Sequence, residues 1–375
     1  MSDNTEDSEL HPRHTAEIFG HEEAERLLLA DFNRDKLPGA YLFSGPKGIG
    51  KASMAYRFAR FLLATPMPGT SDGGLFGEAL PPILPATLSI DPQHPVARRI
   101  ASRGHMNLLA IERSIDEKTK KLRGEIVVED VRKIGNFLSK SAAEEGWRIV
   151  IIDTADEMNN NAANAILKWL EEPPERALFL LVASQPGALL PTIRSRCRTV
   201  TFRPPSQEGF SRIVSATLGE MEASEMEHLY FLSGGAPGWA LTLQENGIVK
   251  IYEDLLELYQ QEASPLAFEA FAEQVTAKKK DSRFSDIAAM LLAIVAGVIR
   301  HHEGMDAQTP EQEQRVFARL AAKKPLDYWL NLWEKSASLL SDTQRVHLDQ
   351  RGAVAGITHA LAGHENILNY MRSGS

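Results

Sequence analysis

Gly45-Pro46-Lys47-Gly48-Ile49-Gly50-Lys51 has the spacing G-x-x-x-x-G-K. In that pattern successive backbone N–H groups converge on phosphate oxygens, and the lysine adds a positive charge at the start of a helix. A serine or threonine usually follows, because its hydroxyl ligates Mg²⁺. Here Ala52 follows, with no oxygen to offer. Ser53 comes one residue later, a rotation of about 100° on a helix, so its hydroxyl points away from the metal position. The spacing predicts a phosphate-cradling loop that lacks one metal ligand. On pattern alone, a glycine-rich turn with a surface lysine is the alternative.

Asp153 closes the apolar run Ile149-Val150-Ile151-Ile152. That places a carboxylate at the C-terminal end of a strand, where open parallel sheets bind their ligands, and where it can hold magnesium directly or through water. Many nucleotide hydrolases follow such an aspartate with a glutamate that polarises the attacking water. Thr154 stands there instead, and threonine is a poor base. Asp156 and Glu157 are either substitutes for that glutamate or a solvated start to the next helix. Arg196 lies in Thr192-Ile193-Arg194-Ser195-Arg196-Cys197-Arg198, on a short connection between two strand-like segments. A guanidinium there either forms a surface ion pair or reaches a phosphate bound by a neighbouring subunit, to which its planar fork donates bidentately. Arg194 and Arg198 are weaker candidates. Cys197 has no activating His or Asp nearby in sequence and reads as a small buried hydrophobe.

These groups need elements to position them. Ala24, Leu27, Leu28 and Phe32 share a helical face ahead of the loop; residues 40–44 read as a buried strand and 51–64 as a helix. That is the strand, loop, helix order a phosphate loop requires. Residues 65–95 are rich in proline and glycine and form an irregular excursion. Regular structure resumes at Glu125, where a short strand is expected to lead into a helix bearing Val131, Ile134 and Leu138 on one face. A strand at 147–153, a helix stopped by Pro173 and Pro174, and strands at 177–184 and 198–202 follow. Alternating strands and helices imply a parallel sheet covered on both faces. Beyond Ser206 the pattern is helical to the end.

The chain has 375 residues, enough for two or three domains. Its net charge of -9 argues against a broad nucleic-acid-coating surface. The single cysteine rules out an intramolecular disulfide framework and a multi-cysteine metal site, fits a reducing cytosol, and leaves no structural zinc to expect. The first residues are acidic and polar, unlike a signal peptide, and residues 1–14 are expected as a disordered tail. The apolar run Ile287–Ile299 falls short of the roughly 20 residues a membrane span needs. It reads as a buried core helix, and the expected location is cytoplasmic with no membrane partner.

With GPKGIGKAS at 45–53, IIDTADEMNNNAANAILKWLEEPP at 151–174 and TIRSRC at 192–197 in view, the chain resembles the delta-prime family of bacterial DNA polymerase III clamp-loader subunits, within the AAA+ proteins. The likeness covers roughly residues 15 to 245, and the helical remainder more loosely. It implies an α/β P-loop parallel-sheet domain over 15–205, a helical lid over 206–248 and an all-α collar over 249–375. The collar would close a five-subunit ring with motor ATPase subunits and delta, reaching the sliding clamp and primer-template DNA through the complex, as a component of DNA polymerase III holoenzyme.

The resemblance also assigns roles. Arg196 becomes an arginine finger that completes the ATP site of an adjacent motor subunit. Lys51 and Asp153 fall at positions the motor subunits use for phosphate and metal, and Ser184 falls near the polar residue that senses the γ-phosphate. Ala52, Thr154 and Gly238, which stands where motor subunits carry a lid arginine, all depart from the motor pattern. The implied subunit has no ATPase activity of its own, requires no cofactor and binds ATP or ADP weakly at most. Many relatives carry a four-cysteine zinc module where this chain has its cysteine-free excursion. Two rivals remain: an active clamp-loader ATPase subunit using Asp156 or Glu157 as base, and a stand-alone AAA+ remodelling ATPase. Either would turn over ATP alone.

Overall fold

The computed structural model describes residues 11–15, 18–65, 84–120, 122–139, 146–277, 281–305, 309–346 and 349–364. The chain divides into two compact units, one running to Gly209 and the other beginning at Phe210. In the first, the elements are α1 (Glu22–Asn33), β1 (Ala40–Ser44), α2 (Lys51–Ala64), α3 (Pro95–Ala101), β2 (Leu108–Ile111), α4 (Val128–Ser139), β3 (Arg148–Ile152), α5 (Asn160–Glu171), β4 (Ala177–Ala183), α6 (Pro191–Arg194) and β5 (Arg198–Thr201). The strands form one parallel sheet in the order β2-β3-β4-β1-β5.

Side chains alternate between the faces of each strand, so one sheet serves two cores. Tyr41, Phe43, Ile149, Ile151, Leu178 and Leu180 point into a core shared with α1, α2 and α3. Leu42, Val150, Ile152, Phe179 and Leu181 point into another, shared with α4, α5 and α6. This is the doubly covered α/β sheet that the strand-helix alternation implies.

The register fixes which loops meet. Ser44 of β1 lies opposite Ala183 of β4, and Ile152 of β3 lies opposite Leu181 of β4. The segments that follow these strands, beginning at Gly45, Asp153 and Ser184, therefore gather at one end of the sheet.

Three local expectations are corrected. Residues 11–14 are not part of a disordered tail: Pro12–His14 form a short 3₁₀ turn with His11 and Arg13 buried, and Arg13 Nε donates to the Ala101 carbonyl at 3.0 Å, while residues 1–10 lie outside the described residues. No strand forms at 125–127: Ile126 makes a single bridge to Met158, and the N–H of Val127 is taken by the Asp130 carboxylate, which turns the chain into α4. The fifth strand is instead β2, at the sheet edge, in a segment where the sequence pattern marks no element. Of the excursion, residues 66–83 lie outside the described residues. Residues 84–94 contain no regular element, and Leu88 is buried with its N–H donating to Glu25 at 2.9 Å.

The second unit comprises α7 (Gln207–Leu218), which begins just before it, α8 (Ala223–Ser233), α9 (Pro237–Glu245), α10 (Ile248–Gln260), α11 (Pro265–Thr276), α12 (Asp281–His302), α13 (Glu311–Lys323), α14 (Leu326–Val346) and α15 (Gln350–Leu361). Side chains from 210–243 and from 248–362 belong to one buried cluster. Phe231 of α8 lies 5.7 Å, ring to ring, from Phe317 of α13. The helix α12 runs beyond the apolar stretch read from sequence, and by length and composition its segment Arg283–His302 could cross a membrane, with a mean hydropathy of 1.6. Ile287, Leu291, Ile294, Val295 and Val298 on it are buried in the unit's own core.

Candidate functional site

The glycine loop occupies the turn between β1 and α2. Gly45 is obligatory: a Cβ there would lie 2.5 Å from the Phe202 carbonyl oxygen, which the pairing of β1 with β5 brings alongside. Gly50, with φ at 103°, makes the left-handed turn into α2 that favours glycine. His21 at the start of α1 braces the loop from outside, its Nε2 lying 2.6 Å from the Ile49 carbonyl and its ring edge-on to Phe202. Burial holds His21 below the ordinary imidazole range. The sequence reading missed this residue because nothing local marks a lone histidine as a brace.

Lys51 turns its ammonium back on the loop. Nζ donates to the carbonyls of Gly45 at 2.7 Å and Pro46 at 2.6 Å, and to Ser184 Oγ at 3.1 Å. An ammonium has three N–H donors, so all three meet protein oxygen. A phosphate drawn to Lys51 would have to displace these contacts. The residue is 4% exposed. Burial lowers its pKa to about 8, against the opposing pull of Asp153 and Asp156. The structure thus brings together Lys51 and Ser184, as the register requires. Pro46 and Lys47 sit at the exposed tip of the loop, and Gly48 is half-buried.

Asp153 follows β3 at the same end of the sheet. Burial, then repulsion from Glu112, pushes its carboxyl up to about 6. Its Oδ1 accepts from the Thr154 N–H at 2.9 Å. Thr154 holds a left-handed backbone, φ 55°, uncommon for a β-branched residue. Its hydroxyl donates to the Asp153 carbonyl at 2.7 Å, so it faces the backbone that precedes it.

Asp156 and Glu157 are both engaged. Asp156 Oδ2 accepts from the backbone N–H groups of Ser184 at 3.0 Å and Gln185 at 2.7 Å, pinning the end of β4 to the turn after β3. Glu157 pairs with Arg113 at 3.0 Å. Asp156 is therefore a brace for Ser184, a part that sequence spacing does not disclose.

The three arginines near β5 differ sharply. Arg194 is exposed at the end of α6. Arg198 Nη1 meets Asp31 of α1 at 2.8 Å. Arg196 is exposed on the turn between α6 and β5, with Nη1 donating to the Thr192 carbonyl at 3.0 Å and Nη2 lying 2.7 Å from Glu171 Oε1. Cys197 between them is half-buried against the second sheet core, and burial pushes its thiol up to about 12, so it remains protonated and unreactive at neutral pH. Among the described residues, no group of three or more His, Cys, Asp or Glu is placed to hold a metal ion.

Comparison with known proteins agrees with these motifs. Residues 86–206 match the family model described as DNA polymerase III, delta subunit. DNA polymerase III subunit delta' of Pseudomonas aeruginosa is 33% identical over 234 residues, which cover 61% of this chain and 64% of that protein. DNA polymerase III subunit gamma/tau of Mycobacterium bovis is 30% identical over 198 residues, 52% of this chain and 30% of that protein. The chain thus spans less than two thirds of the length of these relatives. A solved DNA polymerase III gamma subunit-related protein from Thermotoga maritima aligns with 90% of this chain and 99% of its own at 18% identity, with a TM-score of 0.39, too loose an overlay to argue from. With the GPKGIGKAS, LEEPP and SRC segments in their structural places, the chain is a relative of the DNA polymerase III delta' subunits.

Proposed function

We propose that this chain is a non-motor subunit of a DNA polymerase III clamp-loader complex, acting in the cytoplasm beside motor ATPase subunits and delta in a five-subunit ring. In that role it helps load the sliding clamp on primed DNA. Its own glycine loop is a scaffold: Lys51 is engaged by Gly45, Pro46 and Ser184, no hydroxyl stands at Ala52, and Thr154 replaces the catalytic glutamate. ATP or ADP binds weakly at most, and no cofactor is required. The chemistry is lent outward through Arg196, the arginine finger for a neighbour's ATP site.

The observation that carries this reading is the contrast between two cations. Lys51 is buried with every donor engaged, two by its own loop and one by Ser184, whereas Arg196 stands exposed on a turn and keeps N–H groups to spare. A finger supplied in trans stabilises the charge of phosphoryl transfer and is worth a factor of about 10³–10⁵ in turnover. The test is ATP hydrolysis by the purified chain, by the complex reconstituted with primed DNA and sliding clamp, and by the same complex carrying Arg196→Ala. Silence from the chain alone, activity in the complex and its collapse with Arg196→Ala are the expected results. Turnover by the isolated chain would overturn the non-motor assignment, and full activity with Arg196→Ala would remove the finger.

A further inference from the structure

Glu171 and the two prolines that follow it have no duty in the reading above, yet they stand at the site of Arg196. Glu171 is the last residue of α5, and Glu172-Pro173-Pro174 ends the helix because proline cannot continue it. Pro173 then packs against Gly39, the residue before β1, so closely that a Cβ on Gly39 would lie 2.5 Å from the proline ring. The helix end is thus fixed to the start of β1, an interior strand of the sheet, and with it the carboxylate that meets Arg196.

We infer that Glu171 is a positioning residue for Arg196, an inference that rests on reading Arg196 as a finger acting in trans. A free arginine side chain carries about 2 kcal/mol of rotamer entropy, which must be lost when it docks on phosphate. Here Nη1 is held by the Thr192 carbonyl and Nη2 by Glu171, so much of that ordering precedes any encounter. The two anchors use two of the five N–H donors of the guanidinium. Three remain for a phosphate, and the finger can donate without leaving Glu171. The helix-end motif and the SRC triplet are then two parts of one device, the first aiming the second.

The test uses the complex reconstituted from the full chain and its partner subunits, with ATP, primed DNA and sliding clamp. Glu171→Ala should lower kcat by about three-fold, the scale of a partly exposed ion pair, with KM for ATP unchanged, because the contact acts on the transition state. Glu171→Gln, which keeps an acceptor oxygen, should recover most of the loss. In an Arg196→Ala background, Glu171→Ala should do nothing further. A rise in kcat with Glu171→Ala would show a restraining contact instead, and an unchanged kcat, or an equal loss in both backgrounds, would also overturn the proposal. If Arg196→Ala alone has no effect, the finger reading itself fails, and this inference with it.

Discussion

Arg198 and Asp31 form an ion pair of 2.8 Å between β5 and α1, in which the arginine is half exposed and the aspartate side chain only 5% exposed. Asp31 also accepts the Tyr41 hydroxyl at 2.6 Å. Two residues apart in sequence, Arg196 and Arg198 thus have different duties: one is held at the surface, the other neutralises a buried carboxylate.

Arg198→Ala is therefore expected to cost stability, since it leaves Asp31 beside Tyr41 without its cation. The cost should be about 1–2 kcal/mol, below that of breaking a fully buried pair because Arg198 itself is half in water. Arg196→Ala should stay within about 0.5 kcal/mol of the parent, as surface changes usually do. Denaturant unfolding of both variants checks the contrast. Equal costs would mean that Asp31 is solvated more than its burial indicates.

Lys51 gives a pH signature. Its folded pKa of about 8 lies below the ordinary 10.5, so the folded state holds this proton less firmly than the unfolded chain. By linkage, stability rises with pH wherever the unfolded state binds more protons. Between about 8 and 10.5, the parent should gain stability relative to Lys51→Met, which has no proton to lose. The difference between the two unfolding free energies, measured at several pH values across that window, should grow with pH. A flat difference would mean that Lys51 is not desolvated.

How much of this was legible in the sequence depended on whether the cause was local. β1, β3 and β4 are uninterrupted apolar runs, and α5 begins at an Asn159 cap whose Oδ1 accepts from the Ala162 N–H at 3.0 Å and ends at two prolines. Such elements announce themselves. β2 does not, because four residues at a sheet edge, paired only with β3, leave no pattern to distinguish them from the loops around them. The β-branched run at Ile126 and Val127 looks more like a strand but is claimed by the Asp130 cap. Lys51, Asp153, Ser184 and Arg196 could be named from motif and resemblance. Their partners could not: Asp156 meets Ser184 only because β3 and β4 are neighbours, and Glu171 meets Arg196 only because α5 and α6 share a core. Partnerships set by register lie beyond local sequence.

Asp156 offers a check on that register argument. Its carboxylate satisfies two backbone N–H groups at the end of β4, so Asp156→Ala should destabilise the chain by about 1–3 kcal/mol, the cost of unmade hydrogen bonds to a charged acceptor. Asp156→Asn, which keeps one acceptor oxygen, should recover part of that. A neutral Asp156→Ala would return the residue to the role of a solvated turn and reopen the question of a catalytic carboxylate.

The second unit should not survive division between lid and collar. Glu313 of α13, with no exposed surface, faces His228 of α8 at 3.3 Å and accepts the Tyr252 hydroxyl at 3.1 Å. A fragment beginning at residue 250 would lose His228 and Phe231, uncover Phe317 and leave Glu313 with the Tyr252 hydroxyl but without its imidazole neighbour. One beginning at residue 206 keeps them all. The longer fragment is expected to unfold in one cooperative transition, and the shorter to show none or a much lower midpoint. Equal melting of the two would mean that the shared core adds nothing.

Arg196→Lys separates charge from geometry at the proposed finger. Lysine keeps the positive charge but is a point donor on a flexible stem, without the fork that bridges two phosphate oxygens. It also has no second nitrogen to hold the Thr192 carbonyl while the first meets Glu171, so both the donor geometry and the restraint are lost. The complex with Arg196→Lys should therefore resemble Arg196→Ala in DNA-stimulated ATP hydrolysis, while its assembly and melting temperature match the parent. Arg194→Ala, at the end of α6 two residues earlier, should leave hydrolysis close to normal. Substantial rescue by lysine would reduce the contribution of Arg196 to simple charge, and equal losses at Arg194 and Arg196 would point to a diffuse basic patch in place of a finger.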